Sequence, residues 1–440
     1  MKQRIMKLGL LLAAVLMLTG CSMRTADEMY AFPKRSKDYN NLQSAIDGAM
    51  SGLEYCAPLS GEYQQPVQMA DLDGDGRDEY LLFAKGTQGM PLRILIFRIE
   101  GGVCVHAGTI ESNGSAFDLI EYVQMDRKPG LEIIVGKQVS DQILRSVSVY
   151  SYSAGQAEQL VSVNYTKFLT IDMDRDGCSE LFVLRPGQTE TDNGAAEVYR
   201  IRNDSVERSN EVDMSRPADQ LKRIITGKLY SGEPAVYVAS AVGNSAIITD
   251  VYAQVGDQLV NVTFSNESGT SIQTLRNYYV YADDIDNDGV PEIPELITMT
   301  PADGNYNADR QDLIRWYSMN ADGGEIDKKY TYHNFVSGWY LELDDQWASR
   351  VSVRNLGYQY DFSIWDEKFE VLDKVASVYV LTGENREEQA ANGDWFVLHK
   401  TDSVIYAASI SESAQNYGIT GNNMIDRFHL IQQDWKTGET

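Results

Sequence analysis

Three short acidic strings constrain what this chain can fold into more than any other feature of it. The first is Asp71-Leu72-Asp73-Gly74-Asp75-Gly76-Arg77-Asp78-Glu79, followed at once by Tyr80-Leu81-Leu82-Phe83. The second is Asp172-Met173-Asp174-Arg175-Asp176-Gly177-Cys178-Ser179-Glu180, and the third Asp284-Ile285-Asp286-Asn287-Asp288-Gly289-Val290-Pro291-Glu292. Asp at positions one, three and five, Gly at six and Glu at nine is the ligand order of a calcium loop. Alternate carboxylates converge on one hard cation, the seventh residue lends its carbonyl, and Gly permits the sharp reversal. The expected ligands are therefore Asp71, Asp73, Asp75, Arg77 and Glu79; Asp172, Asp174, Asp176, Cys178 and Glu180; and Asp284, Asp286, Asp288, Val290 and Glu292. Three copies imply about three Ca2+ sites.

Helices do not flank these loops. The helix-loop-helix calcium motif needs a bidentate Glu at position twelve, where this chain has Leu82, Val183 and Glu295. The flanks are short apolar runs suited to strands: Val67–Ala70 and Tyr80–Ala84, Phe168–Ile171 and Leu181–Leu184, and Tyr278–Tyr281 before the third loop. Further strands are expected over Arg93–Ile99, Ile133–Gly136, Val147–Tyr152, Ala235–Ala239 and Ile247–Val251.

Spacing then sets the architecture. Glu79 and Glu180 are 101 residues apart, and Glu180 and Glu292 are 112, each about twice 53. Worn copies sit near both midpoints, Met125–Val135 around Glu132 and Leu229–Val238 around Ala235, without the Asp ladder and without metal. A repeat of about 50 residues carrying roughly four strands is one blade of a β-propeller. The expectation is an all-β propeller of seven four-stranded blades, six or eight being the alternative counts. Leu341–Leu356 is assigned to one late blade, Trp395–Ile410 to the last, and Asn422–Ile431 to a closing helix or strand. A short amphipathic helix over Asn41–Leu53 precedes the blades.

Residues 1–20 carry a basic head (Lys2, Arg4, Lys7) and an apolar run, Leu8–Leu18, short of a permanent membrane span. Leu18-Thr19-Gly20-Cys21 resembles the lipobox of bacterial lipoproteins. That resemblance implies cleavage before Cys21, a diacylglycerol on its sulfur, and a chain held on the extracytoplasmic side of the membrane. Residues 21–38 then form the lipidated Cys and a polar tether, and 39–440 the propeller. Removing the first 20 residues takes the formal charge from −26 to −29, which argues against nucleic acid and anionic membrane surfaces as partners. Cys56 and Cys104 are open to pairing or to burial as thiols, and no CxxC points to zinc or dithiol chemistry.

A catalytic signature is missing. His106, His333, His399 and His429 are scattered, and no nucleophile elbow, metalloprotease helix or phosphate-cradling loop occurs. All six Trp lie from Trp316 onward. Such rings either form a stacking platform for a sugar or protein, or fill the space between diverging blades.

The acidic loops with their following apolar strands resemble the FG-GAP/VCBS repeats of integrin α-subunit propellers and bacterial surface proteins. The likeness is clearest over Val67–Thr300, and only the calcium-loop half of the pattern is present. It implies a lipid-anchored calcium-binding propeller serving as a binding or scaffold module for a protein or glycan. The alternative is an extracytoplasmic glycosidase or lyase acting on polysaccharide or peptidoglycan, because a few well-placed acids would suffice for it.

Overall fold

The computed structural model describes residues 37–432 apart from 88, 140–143, 190, 204, 279 and 303–310. The signal segment, Cys21, most of the tether and Trp435 lie outside the described residues. Helix α1 (Lys37–Ala49) opens the described chain, four residues ahead of the expected start, and Gly52 in the left-handed region (φ +77°) turns the chain into the first strand.

Strands then follow in six antiparallel sheets, each built mainly from consecutive segments. The first holds β1 (Leu53–Tyr55), β2 (Val67–Ala70), β3 (Glu79–Gly86), β4 (Leu92–Glu100) and β5 (Val103–Ser112). The second holds β6 (Ala116–Val123), β7 (Glu132–Gln138), β8 (Arg145–Ser153) and β9 (Gln156–Tyr165). The third comprises β10 (Lys167–Ile171), β11 (Glu180–Arg185), β12 (Ala195–Arg202), β13 (Ser205–Arg208) and β14 (Val212–Asp213). The fourth is β15 (Leu221–Lys228), β16 (Pro234–Val242), β17 (Ala246–Val255) and β18 (Gln258–Asn261). The fifth contains β19 (Ile293–Thr298), β20 (Asp312–Met319), β21 (Glu325–Asn334) and β22 (Trp339–Leu343). The sixth is β23 (Val351–Asn355), β24 (Gln359–Trp365), β25 (Leu372–Thr382), β26 (Phe396–Lys400) and β27 (Val404–Ile410).

Continuous apolar runs such as Tyr80-Leu81-Leu82-Phe83 are explained by burial on both faces, because each sheet is packed on two sides. Leu81, Phe83 and Ile94 of the first sheet meet Phe117, Ile133 and Val135 of the second. Ile134, Val147 and Val149 turn the other way onto Leu181 and Val183. Phe182 and Val198 pack on Val236 and Tyr252, and Tyr237 and Val251 on Ile293 and Tyr317. Tyr332, Trp339 and Leu341 then pack on Val353, Phe362 and Val378. The two end faces are covered differently. Ile46 of α1, with Leu42 and Ala45, lies over Leu82, Leu95 and Phe97 of the first sheet. Against the sixth sheet lies α2 (Arg386–Asn392), and Trp395 just beyond it sits 4.5 Å from Tyr379. The all-β class and the N-terminal helix hold.

The described residues thus form six sheets where seven units were expected. Residues 351–410 make one sheet, not two, with α2 inserted between β25 and β26, and six was one of the alternative counts. Leu341 belongs to the fifth sheet. The chain's end contributes both a helix, α3 (Gly421–Asp426), and a strand, β28 (Phe428–Leu430), which pairs with β22.

Tyr278–Tyr281 does not form the strand expected before the third loop. Its described residues carry no strand, and the side chain of Arg276 binds the backbone there and just upstream. Its Nε donates to Val280 O at 2.5 Å and its Nη1 to Thr274 O at 2.8 Å. Cys56, Cys104 and Cys178 are free thiols, Cys104 and Cys178 being buried.

Candidate metal centre

The first two acidic strings are the hairpin turns between β2 and β3 and between β10 and β11, and the third lies just before β19, closed by a single bridge. Ala70 pairs with Glu79, Ile171 with Glu180, and Asp283 with Glu292. Glu132 of the worn copy pairs with Val123 in the same place, and Pro234 opposite Lys228 holds it in the fourth sheet. The equivalence expected from spacing therefore holds for Glu79, Glu132, Glu180 and Glu292, while in the fourth sheet the place falls on Pro234, next to Ala235, after a shorter turn.

The loops share one backbone path. Positions four and six are left-handed throughout: Gly74 (+72°) and Gly76 (+84°), Arg175 (+61°) and Gly177 (+89°), Asn287 (+60°) and Gly289 (+83°). Position one closes the turn by accepting from the N–H of position six, at 3.0 Å for Asp71, 3.1 Å for Asp172 and 2.8 Å for Asp284. Position five accepts from the N–H of position seven, so Arg77, Cys178 and Val290 are held at 2.8, 2.9 and 2.8 Å by Asp75, Asp176 and Asp288.

Convergence follows from this path. One carboxylate oxygen from each of Asp71, Asp73 and Glu79 lies within 4.8 Å of the others, and so do those of Asp172, Asp174 and Glu180, and of Asp284, Asp286 and Glu292. Positions one, three and nine thus meet at each site, while Asp75, Asp176 and Asp288 serve their own turns. An all-carboxylate donor set at this spacing fits a hard divalent cation.

The ninth-position Glu has a second task that its place in the sequence did not reveal. Its Oε2 accepts from the N–H of position two: Leu72 at 2.9 Å, Met173 at 2.7 Å and Ile285 at 3.1 Å. Glu132 does the same for Met125 at 2.8 Å. Burial, reinforced by the neighbouring Asp carboxylates, pushes Glu79, Glu180 and Glu292 up to about 7. A cation between the carboxylates would relieve that cost.

Cations of the chain itself also reach these sites. Arg200 and Arg202 approach Asp174 Oδ2 at 3.4 and 2.8 Å, and Lys328 approaches Asp288 Oδ2 at 2.6 Å. They come from β12 and β21, so only the sheet register could have revealed them.

A separate cleft of about 300 Å³ opens at the far end of the fifth sheet, between Tyr278, His333, Asn334, Phe335, Val336 and Asn355. Tyr278 stacks on Phe335 at 5.2 Å and 15°, Val336 is 96% exposed, and burial holds His333 down at about 3. None of the described Trp residues lines it. Trp316, Trp339 and Trp347 are buried, Trp365 and Trp395 half-buried, so the filling role accounts for most of them.

No family model matches the chain, and no curated protein matches it. Among solved structures it is similar to the exotype rhamnogalacturonan lyase YesX (TM-score 0.26, 12% identity, 71% of this chain and 61% of that one). It is also similar to rhamnogalacturonan lyase YesW (0.30, 12%, 73% and 62%) and to Bacillus licheniformis rhamnogalacturonan lyase PL11 (0.29, 10%, 73% and 89%). The chain spans about three fifths of the length of the first two. A likeness at these TM-scores carries no weight for activity.

Proposed function

We propose that this chain is a calcium-binding stack of propeller-type blades of the FG-GAP/VCBS kind. It is held outside the membrane by lipid on Cys21 and acts as a binding or scaffold module for a protein or glycan. The observation that carries the reading is the repetition of one loop geometry three times, with three carboxylates within 4.8 Å of one another each time. Calcium at each would be held by Asp71, Asp73 and Glu79 and their counterparts, with the carbonyls of Arg77, Cys178 and Val290 as further donors. Such an ion neutralises repelling carboxylates and fixes the hairpin from which its sheet is built. The ions are structural in this reading, and the ligand is met elsewhere.

The cleft beside Tyr278 supports a binding role. A stacked aromatic pair next to amides suits a sugar ring, with one flat apolar face and a polar edge. Asp312 is the one carboxylate among its described lining residues, and glycoside hydrolysis by the usual route needs two. The test is retention of the purified chain on immobilised peptidoglycan and polysaccharide fractions in 1 mM calcium. Retention reduced severalfold by Tyr278→Ala supports the module. Conversion of any fraction to shorter products overturns it in favour of the enzyme.

A further inference from the structure

The three loops share a backbone path but not an electrostatic setting, and the sheet register shows why. The residue after each ninth-position Glu faces an aromatic on the next strand: Tyr80 faces Phe97, Leu181 faces Tyr199, and Ile293 faces Tyr317. One residue further along that strand stand Arg98, Arg200 and Ser318, and three further along stand Glu100, Arg202 and Asn320. These positions lie over the loop.

In the third sheet both are arginines, and both reach Asp174 Oδ2, Arg200 at 3.4 Å and Arg202 at 2.8 Å. Arg200 is held there by burial and by Gln254 Oε1 at 3.4 Å. In the first sheet Glu100 stands where Arg202 would be, and it captures Arg98, whose Nε donates to Glu100 Oε1 at 2.6 Å. Among the described residues no cation pairs with Asp71, Asp73 or Asp75. The third loop has Ser318, whose Oγ donates to Glu292 Oε1 at 2.9 Å, and its cation comes from one strand further out. Lys328 lies 2.6 Å from Asp288 Oδ2 and 3.9 Å from Asp286 Oδ2, over the ring of Tyr230 at 5.1 Å, with its side chain only 15% exposed.

A fixed cation touching a ligand carboxylate does two opposed things. It lowers carboxylate repulsion in the ion-free loop, and it repels an arriving divalent ion across a short, poorly screened distance. From this we infer that the loops are graded by the cations the chain supplies to them. The first loop is the high-affinity calcium site. Arg200 with Arg202, and Lys328, hold the second and third loops closed without the ion and weaken their hold on it. The inference rests on the calcium reading above and adds an order of filling, first loop, then third, then second.

Calorimetric titration of the purified full-length chain with calcium alone tests it. One tight and two weaker sites are expected, with Asp73→Ala abolishing the tight one. Glu100→Arg, on a half-exposed side chain that leaves the core untouched, should weaken the tight site roughly tenfold. Lys328→Met should strengthen one weak site by a similar factor, roughly tenfold, and Arg202→Glu the other. Equal affinities at three sites, unmoved by Glu100→Arg and Lys328→Met, would overturn the grading while leaving calcium binding intact. Absence of any calcium binding in the unmodified chain would overturn the metal reading itself, and the grading with it.

Discussion

Truncating Trp339 tests how the last two sheets are joined. The indole is fully buried, stacked on Phe428 at 5.5 Å and 25°, and edge-on to Tyr360 at 5.4 Å, with Tyr332 at 5.6 Å. It therefore ties β22 of the fifth sheet to β24 of the sixth and to the returning strand β28. Trp339→Ala removes these contacts and leaves a cavity that three surrounding rings cannot readily fill, at a cost of about 3–5 kcal/mol. Trp339→Phe should cost far less than its lost volume suggests. The indole Nε1 is buried without a hydrogen-bond partner, so phenylalanine also removes an unmet donor worth about 1–3 kcal/mol. Urea unfolding followed by near-ultraviolet circular dichroism measures both, and the transition reporting the C-terminal sheets should move in that ratio. A loss below about 1 kcal/mol for Trp339→Ala would refute the filling role and return this ring to the surface.

Other expectations follow from single positions. Arg175 holds the left-handed fourth position that Gly occupies at Gly74, so Arg175→Gly should raise stability by about 0.5–1 kcal/mol in a denaturant titration; a loss would contradict the strain. Burial lifts the Glu132 carboxyl above its ordinary range, so the folded state retains the proton more readily than the unfolded one. Stability should then fall as pH rises from about 4.5 through that raised value, and Glu132→Gln should flatten the decline in a series of melts. An unchanged pH profile would show that Glu132 is not what titrates. Cys21→Ser should release the chain from the membrane fraction or leave an uncleaved precursor on a gel, and normal processing with membrane retention would remove the lipid anchor from the account.

The loops were legible because their chemistry is local. An Asp ladder, a Gly at the reversal and a Glu at the strand entry all fall within nine residues, and each forces the same turn wherever it occurs. The equivalence of Glu79, Glu132, Glu180 and Glu292 could likewise be read from spacing, since every meander consumes a similar length of chain. What the sequence hid depends on register. Arg200, Arg202 and Lys328 meet the loops only because β12 and β21 run past them, and nothing near those residues marks them as partners of an acidic string. That the strands from Val351 to Ile410 share one sheet was hidden for a related reason, since only their register joins them across the Arg386–Asn392 helix. Tyr278–Tyr281 has the composition of a strand, yet its described residues carry none, and the buried Arg276 side chain holds Val280 O.

Melting with and without calcium bears most directly on the central claim. At about 1 mM calcium and a dissociation constant of about 10⁻⁴ M, the tight loop adds about 1.4 kcal/mol, and a loop about tenfold weaker adds about 0.4 kcal/mol. The three together would supply about 2 kcal/mol, a sizeable share of the ~5–15 kcal/mol typical of a folded domain. Chelation should lower the melting temperature, and Asp73→Ala, Asp174→Ala and Asp286→Ala should each remove part of the calcium-dependent gain. Melting curves that coincide in chelator and in millimolar calcium would contradict the account.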